Sequence, residues 1–119
     1  MKTVLLVEDS TTDRNLMSQY LKENGCVVLN AASVEEANTK LQQQVPDLII
    51  LDVILPGQSG FELCREIKKD PTLKKIPVVI CSTKNTDVDK MWGNMLGADA
   101  YLSKPVNSDE LKGLLARLM

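Results

Sequence analysis

Leu48-Ile49-Ile50-Leu51-Asp52, entered through Pro46-Asp47 and left through Val53-Ile54-Leu55-Pro56-Gly57, is the stretch on which the fold turns. Its four consecutive apolar residues show no polar alternation. A strand with one wet face alternates, whereas a strand covered on both faces does not. Residues 48–52 therefore read as a central parallel strand with helices above and below. Three other runs share this form. Val4-Leu5-Leu6-Val7 ends on Glu8-Asp9, Val78-Val79-Ile80-Cys81 on Ser82, and Ala100-Tyr101-Leu102-Ser103 on Lys104.

Helical patterns fill the gaps between these runs. A first strand is expected over 3–7, then a helix over 11–24 with Leu16, Met17, Tyr20 and Leu21 on one face and Gly25 as its stop. A second strand over 26–31 leads to Ser33-Val34-Glu35-Glu36, which reads as a capping box opening a helix to about residue 44. Pro56-Gly57-Gln58-Ser59-Gly60 is a loop, and Phe61, Leu63, Cys64 and Ile67 mark a helix ending near Asp70-Pro71. A helix over 86–96 carries Val88, Met91, Trp92, Met95 and Leu96. Asn107, with Glu110 three residues later, caps a last helix bearing Leu111, Leu114, Leu115 and Leu118.

Five strands alternating with five helices predict an α/β fold, a doubly wound parallel sheet of flavodoxin-like order 2-1-3-4-5. The switch point of that order lies between the strands ending in Glu8-Asp9 and in Asp52. Ligands bind beyond the carboxyl ends of such strands. The 119 residues are expected to form one domain, 1–119, with no linker and no output domain.

Composition narrows the function classes. A net charge of -2 offers no basic field for nucleic acid or an anionic membrane. No apolar stretch approaches the roughly 20 residues of a membrane span, and the N-terminus lacks a signal-peptide pattern, so a cytoplasmic protein is expected. Three widely spaced cysteines fit buried thiols better than a disulfide framework or a zinc site. Histidine is absent, which excludes Ser-His-Asp and Cys-His nucleophile systems.

The chemistry must then run on carboxylates, hydroxyls and lysines. Asp52 is a candidate phosphoryl acceptor, since such transfer demands positioning and charge neutralisation rather than a strong base. Glu8 and Asp9 would face it across the switch point. Three anions so close call for a hard cation such as Mg2+. Lys104 can reach phosphoryl oxygens or pair with Asp52, and the Lys104-Pro105 bond is a candidate for the cis form. A hydroxyl from Ser82 or Thr83 can donate to the same oxygens; strand alternation does not separate them. Each residue also has an ordinary structural role, as a loop cap, a helix-dipole partner or a solvated lysine. Their joint fit to one site favours the functional reading. A flavin phosphate is a poor match, because the first loop begins with two acids, and no GxxxxGK[ST] loop is present.

The motifs Val4 to Ser10, Pro46 to Gly57 with Gly60-Phe61-Glu62-Leu63, Ile76-Pro77-Val78 through Ser82, and Gly97-Ala98-Asp99-Ala100-Tyr101-Leu102-Ser103-Lys104-Pro105 resemble the receiver domain of two-component response regulators. The resemblance covers essentially the whole chain. It implies that a histidine kinase phosphorylates Asp52, that Glu8, Asp9, Asp52 and the backbone carbonyl of Ile54 hold Mg2+, and that Ser82 and Tyr101 are switch residues. Lys104 is the matching active-site lysine. The face of the fourth helix, fifth strand and fifth helix would then engage a downstream protein. A monomer or a weak phosphorylation-dependent dimer is implied, with neither nucleic acid nor membrane insertion. The protein is expected to be a signalling phosphoacceptor that catalyses only its own phosphorylation and dephosphorylation.

Two positions depart from the pattern. Glu8 stands where many members have Asp, and Thr83 where a smaller residue is frequent; the Thr83 methyl is expected to screen the phosphoryl group from water. Ser82-Thr83-Lys84 with Asp89-Lys90-Met91-Trp92-Gly93 is similar to single-domain regulators of twitching or phototaxis pathways. Trp92 has two readings, a partly buried anchor, which is favoured, or part of the output surface. Two rival classes remain. A phosphorylation-independent binding module does not need the intact quintet Glu8, Asp9, Asp52, Ser82 and Lys104. A metal-dependent hydrolase needs a substrate lid for which no residues are left.

Overall fold

The computed structural model describes residues 1–119. Its strands are β1 (Lys2–Val7), β2 (Cys26–Ala31), β3 (Leu48–Leu51), β4 (Val78–Ser82) and β5 (Ala100–Ser103). The helices are α1 (Thr11–Glu23), α2 (Val34–Gln43), α3 (Gly60–Lys69), α4 (Asp87–Met95) and α5 (Ser108–Leu118). All strands are parallel, in the order β2-β1-β3-β4-β5, so the expected flavodoxin-like topology is present. Element ends differ from the expected ones by a residue or so. No helix is long and apolar enough to cross a membrane.

Period-two alternation splits the core into two layers. Leu5, Val7, Ile49, Leu51, Val78 and Ile80 face α2 and α3, meeting Ala37, Leu41, Leu63 and Ile67. Val4, Leu6, Leu48, Ile50, Val79 and Cys81 face α1 and α5, meeting Met17, Leu21, Leu111 and Leu114. The continuous apolar runs are thus two interleaved faces, each buried against helices. The three cysteines are free and buried.

Carboxylates tie the amino ends of the strands. Asp47 accepts from Thr3 N–H at 2.8 Å, and Asp99 accepts from Val78 N–H at 2.8 Å and from Lys68 Nζ at 2.9 Å. These contacts leave the carboxyl edge free for the site.

Three expectations need correction. Ser33 Oγ accepts from Glu36 N–H, but the Glu36 carboxylate accepts from Ala32 N–H instead of closing the box on Ser33. The complete capping box is Thr86 with Asp89, on α4. Leu16 does not share the buried face of Met17 and Leu21; it is exposed. On α4 the apolar stripe faces outward. Val88, Met91, Trp92 and Met95 are all more than half exposed, and the buried residue of this helix is Gly93. Trp92 is therefore no core anchor. A Cβ at Gly93 would lie 3.0 Å from Ile80 Cδ1 and 3.1 Å from the Tyr101 ring, so the bare glycine lets the helix sit close on the sheet.

Gly60 shows the same device at the site. A Cβ there would fall 1.9 Å from the Asp52 carbonyl oxygen, and Gly60 N–H donates to Val53 O at 2.8 Å. The β3–α3 loop is thereby folded back onto the backbone of Asp52. Gly113, in the middle of exposed α5 surface, meets nothing within 4 Å. Gly60→Ala is expected to lower unfolding free energy by about 2 kcal/mol or more. Gly113→Ala is expected to raise it by roughly 0.5–1 kcal/mol, as alanine replaces glycine inside a helix. Urea denaturation of both variants checks the opposite signs.

Candidate functional site

The backbone ladder delivers the site. Beyond the last paired residues, Glu8 N–H donates to Ala31 O at 2.9 Å, Asp52 N–H to Val7 O at 3.1 Å, and Lys104 N–H to Ser82 O at 3.1 Å. Each residue is one rung past its strand, so its side chain emerges at the sheet edge with the backbone held.

Glu8, Asp52 and Ser82 are buried, although all are polar. Buried charge demands partners, and here the partner is one ammonium. Lys104 Nζ lies 2.5 Å from Glu8 Oε1, 2.7 Å from Asp52 Oδ2 and 3.0 Å from Asp13 Oδ2. The second oxygens of the two buried acids are held by backbone. Glu8 Oε2 accepts from Ser10 N–H and Asp52 Oδ1 from Ile54 N–H, both at 3.1 Å. Arg14 also donates to the Glu8 carbonyl at 2.9 Å. Every buried side-chain polar atom finds a partner. The Lys104-Pro105 bond is cis.

The ion cluster borders a cavity of about 50 Å3 walled by Leu6, Met17, Ile50 and Cys81 among others. This apolar flank sets the electrostatics. Desolvation pushes the Glu8 carboxyl above its ordinary value despite the bonds from Lys104 and Ser10. For Lys104, burial favours the neutral amine, but hydrogen bonds to Asp52, Glu8 and Asp13 outweigh it and hold the ammonium well above the lysine range. Both shifts are upward, so the one favours a neutral Glu8 and the other a charged Lys104. Burial penalises both charged forms; in Lys104 the hydrogen bonds outweigh it, and in Glu8 they do not. Cys81, on the same cavity, is pushed up to about 12 by burial and stays an unreactive thiol.

The expected quintet is only partly gathered. Glu8, Asp52 and Lys104 meet directly, while Asp9 is exposed and outside the cluster. Ile54 stands beside Asp52, tied through its N–H. Ser82 Oγ faces the next loop, accepting from Lys84 N–H at 3.2 Å. Tyr101 reaches the same residue, its hydroxyl donating to the Lys84 carbonyl. The two expected switch residues thus grip the two peptide groups flanking one residue. Asp13 is not among the residues singled out from the sequence, and the structure adds it to the cluster. Its acidity near Glu8-Asp9 was the available signal, but the α1 turn that aims it at Lys104 is a tertiary fact.

No group of His, Cys, Asp or Glu is arranged as a ready metal shell. The donor chemistry nonetheless fits a hard divalent cation. Three carboxylates against one ammonium leave two negative charges in excess, with Asp9 exposed beside them. Lys104 stands among the oxygens that such a cation would take.

These features define a buried carboxylate–lysine crevice at the switch point of a doubly wound sheet. A family model described as the response regulator receiver domain matches residues 4–116. The chain belongs to that family. It is 36% identical to Protein PilH of Pseudomonas aeruginosa over 111 residues, covering 93% of this chain and 92% of the relative. Its fold superposes on the chemotaxis response regulator CheY4 of Vibrio cholerae with a TM-score of 0.92 at 34% identity, covering 100% of this chain and 99% of the other. The Mn2+-bound form of response regulator Rcp1 matches with a TM-score of 0.81 at 35% identity, covering 97% and 89%.

The Tyr101 phenol is pushed up to about 12 by burial, reinforced by Asp89 and Asp52. A folded value above the unfolded one, near 10, means that the stability gained from burying the neutral phenol is full below pH 10 and lost as pH rises through about 12. Ultraviolet titration of the phenolate band is expected to show Tyr101 still protonated at about pH 11. Comparison with Tyr101→Phe isolates its signal, and a Tyr101 component titrating near 10 would contradict the burial of the ring beside these carboxylates.

Proposed function

We propose that this receiver accepts a phosphoryl group on Asp52 from a histidine kinase and passes the change to a protein partner through the face of α4, β5 and α5. The observation that carries the reading is the 2.7 Å contact of Lys104 with Asp52 Oδ2 inside a buried carboxylate cluster.

In the transfer, a crevice-facing Asp52 oxygen attacks phosphorus. The new phosphorus–oxygen bond forms as the bond to the donor breaks, and the electron pair stays with the donor. Glu8, Asp9, Asp52 and the Ile54 carbonyl would hold Mg2+, which neutralises charge on the phosphoryl oxygens. Lys104 gives up its contact with Asp52 Oδ2 and pairs with a phosphoryl oxygen instead. Phosphorylation adds roughly one to two negative charges. Ser82 then turns its hydroxyl from Lys84 N–H toward the phosphoryl group, loosening the loop that Tyr101 also holds.

The output follows from what that loop supports. It leads into α4, whose Val88, Met91, Trp92 and Met95 form an exposed apolar face. Such a face on a signalling domain fits protein contact. Phosphate acts through differential stabilisation of one arrangement of this face over another. A cytoplasmic location accords with membership of the receiver family, and a chemotaxis-type pathway with the likeness to the chemotaxis response regulator CheY4.

Intact mass and Trp92 fluorescence, with a small phosphodonor and Mg2+, test the reading. A single adduct that needs Mg2+ and vanishes in Asp52→Asn is expected, and Thr83→Ala should lose it faster than the unaltered protein. No adduct would favour a phosphorylation-independent binding module. Rapid turnover of unrelated phosphate esters would favour a hydrolase.

A further inference from the structure

The third acid of the cluster behaves unlike the other two. Glu8 and Asp52 are buried at strand ends, and each has one oxygen fixed by a backbone N–H. Asp13 sits in the first turn of α1, its side chain 44% exposed, with the Lys104 ammonium as its side-chain partner. Its own N–H donates to Ser10 Oγ at 3.3 Å, which fixes the turn that aims it inward. An ammonium has three donors, and here each is assigned to a different carboxylate.

Consider the cluster when Glu8 and Asp52 turn to a divalent cation. The ammonium loses its two buried partners and is repelled by the new charge. Asp13, at the rim, is the partner that remains. We infer that Asp13 is a positioning residue for Lys104: it retains the ammonium at the crevice rim when metal enters, and it competes with the phosphoryl group for that ammonium. The inference rests on the phosphoacceptor reading of Asp52.

Two consequences have opposite signs. Removing the Asp13 charge leaves Lys104 with no alternative to Glu8 and Asp52, so Mg2+ must displace it unaided and binds more weakly. Once Mg2+ is saturating, the same change frees Lys104 for the phosphoryl position, and a phosphoryl mimic binds more tightly. A partly exposed ion pair contributes modestly, so each effect is expected at about two- to fivefold. A purely structural part for Asp13 in the α1 turn would weaken both.

The test is calorimetric titration of Mg2+, then of fluoroberyllate at saturating Mg2+, into the unaltered protein, Asp13→Asn, Lys104→Met and the double variant. Asp13→Asn should weaken Mg2+ and tighten fluoroberyllate, and the tightening should vanish in the Lys104→Met background. Equal tightening in both backgrounds means that Asp13 acts as a bare charge on the anion, and overturns the inference. If Lys104→Met does not fold, Thr12→Asp combined with Asp13→Asn replaces it, moving the charge to an exposed neighbour out of line with Lys104. Reversal of the tightening by that shifted charge likewise overturns the inference, and persistence of the tightening supports it. Failure of the unaltered protein to bind fluoroberyllate would remove the phosphoacceptor reading and this inference together, a result distinct from the others.

Discussion

One ammonium among three carboxylates is the constraint on which the site depends. Burying Glu8 and Asp52 at the ends of adjacent strands is costly unless a cation stands between them. Lys104 supplies that cation from β5, two strands away from β3, so the sheet order is written into the electrostatics. The ladder makes this workable. Glu8, Asp52 and Lys104 each keep a backbone hydrogen bond one rung past the strand, so the charged atoms meet without loop rearrangement. A lysine is well suited to the place because it is a compact charge on a flexible stem. It can neutralise the acids and still be moved.

The connection from site to surface is short and made of backbone. Ser82 and Tyr101 hold Lys84 by its N–H and its carbonyl, so a change at either is felt by the β4–α4 loop. The helix that follows is lightly attached. It is seated through Gly93 against Ile80 and the Tyr101 ring, and its large apolar residues point to solvent. A helix held through a glycine can shift at lower cost than one anchored by interlocked leucines. The exposed face and the weak seat are two sides of one arrangement.

Much of this was legible in the residues. Unbroken apolar runs such as Leu48-Ile49-Ile50-Leu51, bounded by turn residues, read as strands covered on both faces, and the polar residue closing each run marks the carboxyl edge. The strand order followed, and with it the meeting of Glu8, Asp52 and Lys104. The receiver resemblance added Tyr101 and the choice of Ser82. What was not legible depends on direction in space. The α4 stripe has helical period, but periodicity states only that residues share a face; Gly93, with no side chain to count, decides which face is inside. Asp13 was not singled out, because its partner lies 91 positions away. Ser33 and Thr86 both begin capping sequences, and side-chain geometry alone separates the partial box from the complete one.

The central claim is that Lys104 is the resident counter-cation of the cluster, in the place proposed for a divalent ion. Thermal unfolding of the unaltered protein and of Lys104→Met, each with and without Mg2+, tests it most directly. Without Mg2+, the variant leaves two buried carboxylates uncompensated and is expected to lose about 3–5 kcal/mol of stability. Mg2+ should restore most of that loss by binding the folded state, while shifting the unaltered protein much less. A Lys104→Met protein as stable as the unaltered one in the absence of Mg2+, or one indifferent to Mg2+, would contradict the claim.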